Sequence, residues 1–298
     1  MTNEFCRFLT EDGLELQGLF VPPGDGARTA LVHVHGLDGN FYENRFIDTV
    51  AEVCRRRGLG FLTFNNRGHD YISDIIVERE GEETGFRQVG GMYERLEECV
   101  PDIRAAIEFV WERGCERVLL QGHSHGGIKV LHYLSETRDP AVVGLVLMSP
   151  SDDSGLARAN LGKRFEEFVE MARRMKEQGR ERMLMPVAAF PYPTSGLAFL
   201  DTLGPDSIAK MFNLSRTDRE EFPELNSVEV PVLMVVGTVE EAFVLPAQEY
   251  VDRVGEQLAR APSFTGVVVE GAPHNYLGCE DEVAGALDRW LADNPGLA

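Results

Sequence analysis

Gly122-His123-Ser124-His125-Gly126-Gly127, GHSHGG in one-letter code, sets a serine between two histidines and frames the three with glycine. An apolar run, Arg117–Leu120, precedes it, and Ile128–Leu134 follows with helical spacing. The chain must therefore reverse from strand to helix within a few residues. Such a reversal leaves Ser124 in a strained conformation, and flanking glycines let backbone and helix approach without a Cβ clash. The helix N-terminus beneath the serine favours negative charge. Serine is a weak nucleophile until a base takes its proton. Neither adjacent histidine can serve, because side chains next to a tight elbow diverge from the nucleophile and a base must reach the hydroxyl at about 2.6–3.2 Å.

Working outward from the elbow, short apolar runs alternate with helical patterns. Ala30–Val34, Gly60–Phe64, Val142–Met148, Val230–Val236 and Ser263–Val269 read as strands. Phe46, Ile47, Val50 and Cys54 share one helical face, as do Val100, Ile103, Ile107, Val110 and Trp111. Further helices are expected over Pro246–Leu258 and around Val283, Leu287, Trp290 and Leu291. Continuous β-branched strands between helices predict an α/β fold, a mostly parallel central sheet covered on both faces. Phe5–Phe20 reads as an opening β-hairpin around Glu11-Asp12-Gly13. Between 151 and 228 the rhythm breaks. Phe165, Phe168, Met171, Ala172 and Met175 make an amphipathic helix, and a Pro-containing stretch follows. Residues 1–150 and 229–298 are thus expected to form the layered core, with 151–228 a helical cap inserted after the strand ending near Ser149.

Loops at the carboxyl ends of parallel strands gather at one edge of a sheet. His274, in EGAPHNYLG after the strand Ser263–Val269, is expected there and is the candidate base for Ser124. A carboxylate must orient that imidazole. Glu240, in GTVEE after Val230–Val236, stands first, with Glu241, Asp153 and Asp152 as alternatives. Acyl transfer also needs two backbone N–H groups aimed at an oxyanion. His125, directly after the nucleophile, should give one. Leu37, in His35-Gly36-Leu37-Asp38-Gly39, should give the other.

With these residues in order, the chain resembles the α/β-hydrolase superfamily. It carries the HG pair, the GxSxG elbow, a late acid and a last-loop histidine in the order Ser–acid–His. Phe64-Asn65-Asn66-Arg67-Gly68-His69-Asp70 matches the superfamily's Arg-Gly-His segment. The resemblance spans nearly the whole chain, with 151–228 where the cap usually lies. It is similar to lid-bearing serine hydrolases of the esterase and acyl-peptide-cleaving kind, which usually carry Asp where Glu240 stands. It implies cleavage of an ester, thioester or lactone through an acyl-enzyme, without a cofactor. An acyltransferase or cyclase working through the same intermediate, and a non-catalytic receptor, are the rival readings. Members with aspartate at the elbow are excluded, because position 124 is serine.

His33-x-His35 and His123-x-His125 lack the acidic or cysteine partners that metal spacing requires, so no metal is expected. His35 should order the oxyanion loop, His123 pack beside the elbow, and Arg67 and His69 brace loops. Lys129 falls in the apolar helix after the elbow, where it must snorkel or pair with a carboxylate. Phe165, Phe168 and Phe190 are candidate substrate contacts from the cap. Met171, Met175, Met183, Met185 and Met211 should mostly seat the cap helices.

The chain has 298 residues and a net charge of -20, a field that repels phosphate backbones and argues against nucleic acid. Its five scattered cysteines show no CxxC spacing, which points to a reducing compartment. The N-terminal sequence lacks the basic-then-apolar pattern of a signal peptide, and no apolar run is long enough for a membrane span. The expected setting is cytoplasmic and the expected partner a small acyl substrate. A homodimer is left open.

Overall fold

The computed structural model describes residues 3–215 and 221–297. Six strands run parallel: β3 (Thr29–Val34), β4 (Gly60–Asn65), β7 (Arg117–His123), β8 (Val142–Met148), β9 (Val232–Val239) and β10 (Phe264–Pro273). The hairpin of β1 (Glu4–Leu9) and β2 (Glu15–Val21) adds an antiparallel edge, giving the order β1-β2-β4-β3-β7-β8-β9-β10. A separate antiparallel pair, β5 (Ser73–Val77) and β6 (Gly85–Val89), lies outside this sheet and was not anticipated from the sequence.

The central strands are buried on both faces, and their side chains divide by parity. Val32, Val34, Leu120, Leu147, Met234 and Val236 face one core, shared with α2 (Cys99–Trp111), α3 (His125–Thr137) and α8 (Ala247–Gln257). Leu31, Leu119, Val146, Met148, Leu233 and Val235 face the other, under α1 (Phe46–Arg56) and α9 (Glu280–Asp293). The period of two puts successive residues on opposite faces, so a strand with helices on both sides reads as a near-continuous apolar run. This is an α/β fold with a mostly parallel sheet covered on both faces, as expected from the strand and helix pattern, and the arrangement that the resemblance to α/β-hydrolases implies. No helix among the described residues is long and apolar enough to cross a membrane.

Strands β9 and β10 run further than the sequence pattern indicates, to Val239 and Pro273. Their last paired residues are Val239 and Pro273, reached after a bulge between Val269 and Pro273. At the bulge, Gly237 lies so close to Ala272 that a Cβ would overlap the Ala272 carbonyl.

Between β8 and β9 come α4 (Asp153–Leu161), α5 (Arg164–Glu177), α6 (Gly196–Leu203) and a short α7 (Pro223–Asn226). This segment has two fates. Ala157, Phe165, Phe168, Val169, Ala172, Met185, Ala189, Phe199 and Leu203 build a small core of their own. Met211, Phe212, Leu214, Phe222 and Leu225 join the main core instead. Met171 and Met175 pack against the small core, while Met183 is exposed.

Candidate active site

Strand register brings the site together. Val34 pairs with Gly122 and His123 with Met148, so the loops after β3, β7 and β8 leave the sheet side by side. Ser124 sits at the turn from β7 to α3 with φ 58° and ψ -129°. A positive φ is unusual for a residue with a Cβ, and such strain concentrates at functional sites. The glycines explain how the turn closes. A Cβ on Gly122 would overlap the Gly126 carbonyl, and one on Gly126 would overlap the Val34 carbonyl. Gly36 packs on Ser124, where a Cβ would stand 2.8 Å from the serine Cβ.

Ser124 and His274 line one cavity of about 540 Å³. His274 Nδ1–H donates to Glu240 Oε1 at 2.5 Å. Glu240 is therefore the carboxylate that meets the imidazole. Burial alone would raise its pKa, but the bond to His274 and that ring's charge prevail and hold the carboxyl below its ordinary value. The N–H groups of Glu241 and Ala242 also donate to Oε1.

The other three carboxylates have different places. Asp152 caps α4, accepting from the Gly155 N–H at 2.9 Å. Asp153 accepts from His125 Nδ1–H at 2.8 Å and from the Ser151 hydroxyl at 2.9 Å, tying α4 to the elbow. Glu241 lines the cavity.

The histidines on either side of Ser124 bond to other groups. His123 Nε2–H donates to the His274 carbonyl at 2.9 Å, and the two rings lie 4.8 Å apart. Burial, then the proximity of His274, keeps His123 well below the usual histidine pKa, so it is neutral at pH 7. His125 begins α3, and the first N–H groups of a helix have no intrahelical acceptor. Leu37 lines the same cavity as Ser124. His35 orders the loop that carries it. The Asn66 N–H donates to His35 Nε2 at 3.1 Å, which fixes the tautomer, and Nδ1–H donates to the Gly36 carbonyl at 2.9 Å.

Of the three candidate substrate contacts, Phe190 lines the cavity. Phe165 and Phe168 do not. They are 1% and 6% exposed within the small core between β8 and β9, because the apolar face of α5 turns toward α6 rather than the serine. The loop Val187–Tyr192, together with Leu156, Ala157 and Leu161, makes the apolar wall in their stead. Met171, Met175, Met183, Met185 and Met211 are not among the lining residues. Arg67 braces the loop after β4, donating to buried Asp102 at 2.7 Å and to Asp12 at 2.9 Å. His69 bonds Asp70.

Lys129 does not snorkel. Its side chain is fully buried, and its ammonium lies 2.5 Å from Glu94 Oε1. Glu94 follows the unanticipated β5–β6 hairpin, so no local pattern announced it.

The model of the Alpha/beta hydrolase family matches residues 31–286. No curated protein matches the sequence. Among solved structures, the esterase Est1E from Butyrivibrio proteoclasticus with ferulic acid bound is 19% identical, with a TM-score of 0.65 over 96% of this chain and 98% of that one. A monoacylglycerol lipase from Paleococcus ferrophilus is 20% identical, with a TM-score of 0.61 over 98% and 99%. An esterase from Pyrococcus furiosus is 17% identical, with a TM-score of 0.59 over 98% and 92%.

Proposed function

Because this chain belongs to the α/β-hydrolase family, we propose that it is a serine hydrolase acting on carboxylic esters. The observation that carries the reading is the His274–Glu240 bond on a cavity shared with Ser124. With Nδ1–H committed to Glu240, His274 keeps Nε2 for the serine proton. Ser124 Oγ attacks the acyl carbon, and its proton passes to His274. The carbonyl oxygen becomes an oxyanion held by the Leu37 and His125 N–H groups. The tetrahedral adduct collapses, His274 protonates the departing alkoxide, and an acyl-enzyme remains. Water then attacks with the same base and releases the acid.

The cavity favours an uncharged acyl group of small to medium size. About 540 Å³ lies within the range of small-molecule sites, and most of the lining is aliphatic or aromatic. Asp153 and Glu241 supply the charge, and no Lys or Arg appears among the described lining residues. A nucleotide-bearing thioester would meet repulsion there, so simple esters fit better than polyanionic thioesters. The solved structures named as esterases and a monoacylglycerol lipase lean the same way.

Labelling with a fluorophosphonate, followed by peptide mapping, tests this reading. A single adduct on Ser124, absent from Ser124→Ala and His274→Ala, together with hydrolysis of p-nitrophenyl esters, is the expected result. A folded protein that neither labels nor hydrolyses any ester of the series would sink it. Release of an ester rather than an acid when alcohols are added would turn the reading toward acyl transfer.

A further inference from the structure

The geometry points to the buried Lys129–Glu94 pair as a positioning device for the peptide that binds the oxyanion. The inference rests on the serine-hydrolase reading above, and it adds a role for two residues outside the Ser124–His274–Glu240 set.

The Gly36 carbonyl and the Leu37 N–H belong to one peptide unit. No cis bond occurs among the described residues, so carbonyl and N–H point in opposite directions. Whatever fixes the Gly36 oxygen therefore aims the Leu37 hydrogen. Three donors converge on that oxygen. His35 Nδ1–H stands at 2.9 Å, the Gly39 N–H at 3.4 Å and Lys129 Nζ at 3.4 Å. Only Lys129 brings a full charge. A cation at the carbonyl end draws electron density along the amide and makes the N–H a stronger donor.

An ammonium has no reason to stay in this place unless it is held. Lys129 Nζ also donates to Asn66 Oδ1 at 3.2 Å, and Glu94 closes the set at 2.5 Å. Glu94 in turn is packed on Gly68, where a Cβ would overlap its carboxylate. Loops after β3, β4 and β6 and the helix after the nucleophile thus meet at one ion pair beneath the Gly36–Leu37 peptide. Neither Lys129 nor Glu94 lines the cavity, so both act through the peptide rather than on substrate.

The test compares the wild type with Lys129→Met/Glu94→Gln, which removes both charges and leaves neither ion alone in the interior. Removing an oxyanion donor outright costs about 10²–10³ in kcat. Loss of its aim and polarisation should cost less, about 10–30-fold in kcat, with KM within about 2-fold, because the contact strengthens only as the oxyanion forms. The inhibition constant of a trifluoromethyl ketone, whose adduct carries that oxyanion, should rise by a similar factor. A merely structural pair would lower the melting temperature and leave this split unchanged. Gly68→Ala, which displaces Glu94 while keeping Lys129, should shift kcat in the same direction and serves if the double variant does not fold. A folded double variant, or a folded Gly68→Ala, with wild-type kcat and ketone affinity overturns the inference. The Leu37 amide resonance separates this failure from that of the function. It should move in the variant whether or not any ester is hydrolysed, and an unmoved resonance also overturns the inference.

Discussion

Glu240 and His274 leave two neighbouring parallel strands one residue past a paired position, Val239 opposite Pro273. Carboxylate and imidazole are therefore juxtaposed by sheet register, with the bulge before Pro273 carrying the histidine level with Glu240. Glu240→Gln should preserve this geometry and remove the acceptor that fixes the tautomer. The expected loss in kcat is about 10⁴-fold, measured on a saturating ester. Glu240→Asp, one methylene shorter, should lose less, about 10–100-fold, since a carboxylate survives at a longer reach. Full activity in the glutamine variant would remove Glu240 from the catalytic set.

His123 holds the backbone of His274 through its Nε2–H and lies in tilted ring contact with Phe46 and Tyr276. His123→Phe keeps an aromatic ring in that cluster and deletes the donor. Stability should fall by about 1 kcal/mol, the cost of losing a hydrogen bond to a part-buried carbonyl. The drop in kcat should be about 10-fold, because the base is displaced and not removed. Chemical denaturation and ester kinetics on the same preparation would check both, and an unchanged kcat would limit His123 to packing.

Asp38 has both carboxyl oxygens buried without a hydrogen-bond partner. Burial, reinforced by the charge of Glu94, raises its pKa from 3.8 to about 8. The native state then retains a proton that the unfolded chain releases above about pH 4. Between these values the native state binds more protons, so this group's contribution to stability falls as pH rises toward about 8 and then levels. Asp38→Asn is neutral in both states and tolerates the positive φ at this position. Its melting temperature relative to the wild type should climb from pH 5 to pH 8. A constant difference across that range would show that Asp38 is ionised in the native protein.

The cap phenylalanines should separate cleanly. Phe165 is enclosed in the small core between β8 and β9, and Phe165→Ala should cost about 3–5 kcal/mol of stability. Phe190 lines the cavity, and Phe190→Ala should move the preferred p-nitrophenyl ester to a longer acyl chain. The chain-length profile of kcat/KM and the midpoint of thermal unfolding read the two effects. An unaltered profile in the Phe190 variant would place the acyl group elsewhere.

What could be read from the sequence was whatever is tied to a strand end. Ser124, Glu240 and His274 each follow an apolar run whose loop had to emerge at one edge, so their meeting was legible without contacts. Phe165 and Phe168 were not legible in the same way. Helical spacing identifies an apolar face but not the surface it meets, and here that surface is α6. The β5–β6 hairpin escaped because only Ile75 and Val89 within it are buried, too few to give a period. With it went Glu94, whose partnership with Lys129 depends on how far a loop travels back toward the elbow.

The insertion between β8 and β9 is not one unit, since its later part is built into the main core from Ala209 onward. For grafting a new specificity onto this scaffold, the exchangeable cassette is the block from α4 through α6, Asp153 to Leu203. A donor segment cut to replace the whole stretch to Val228 would also take away Met211, Phe212, Leu214, Phe222 and Leu225, and leave a hollow beneath the graft.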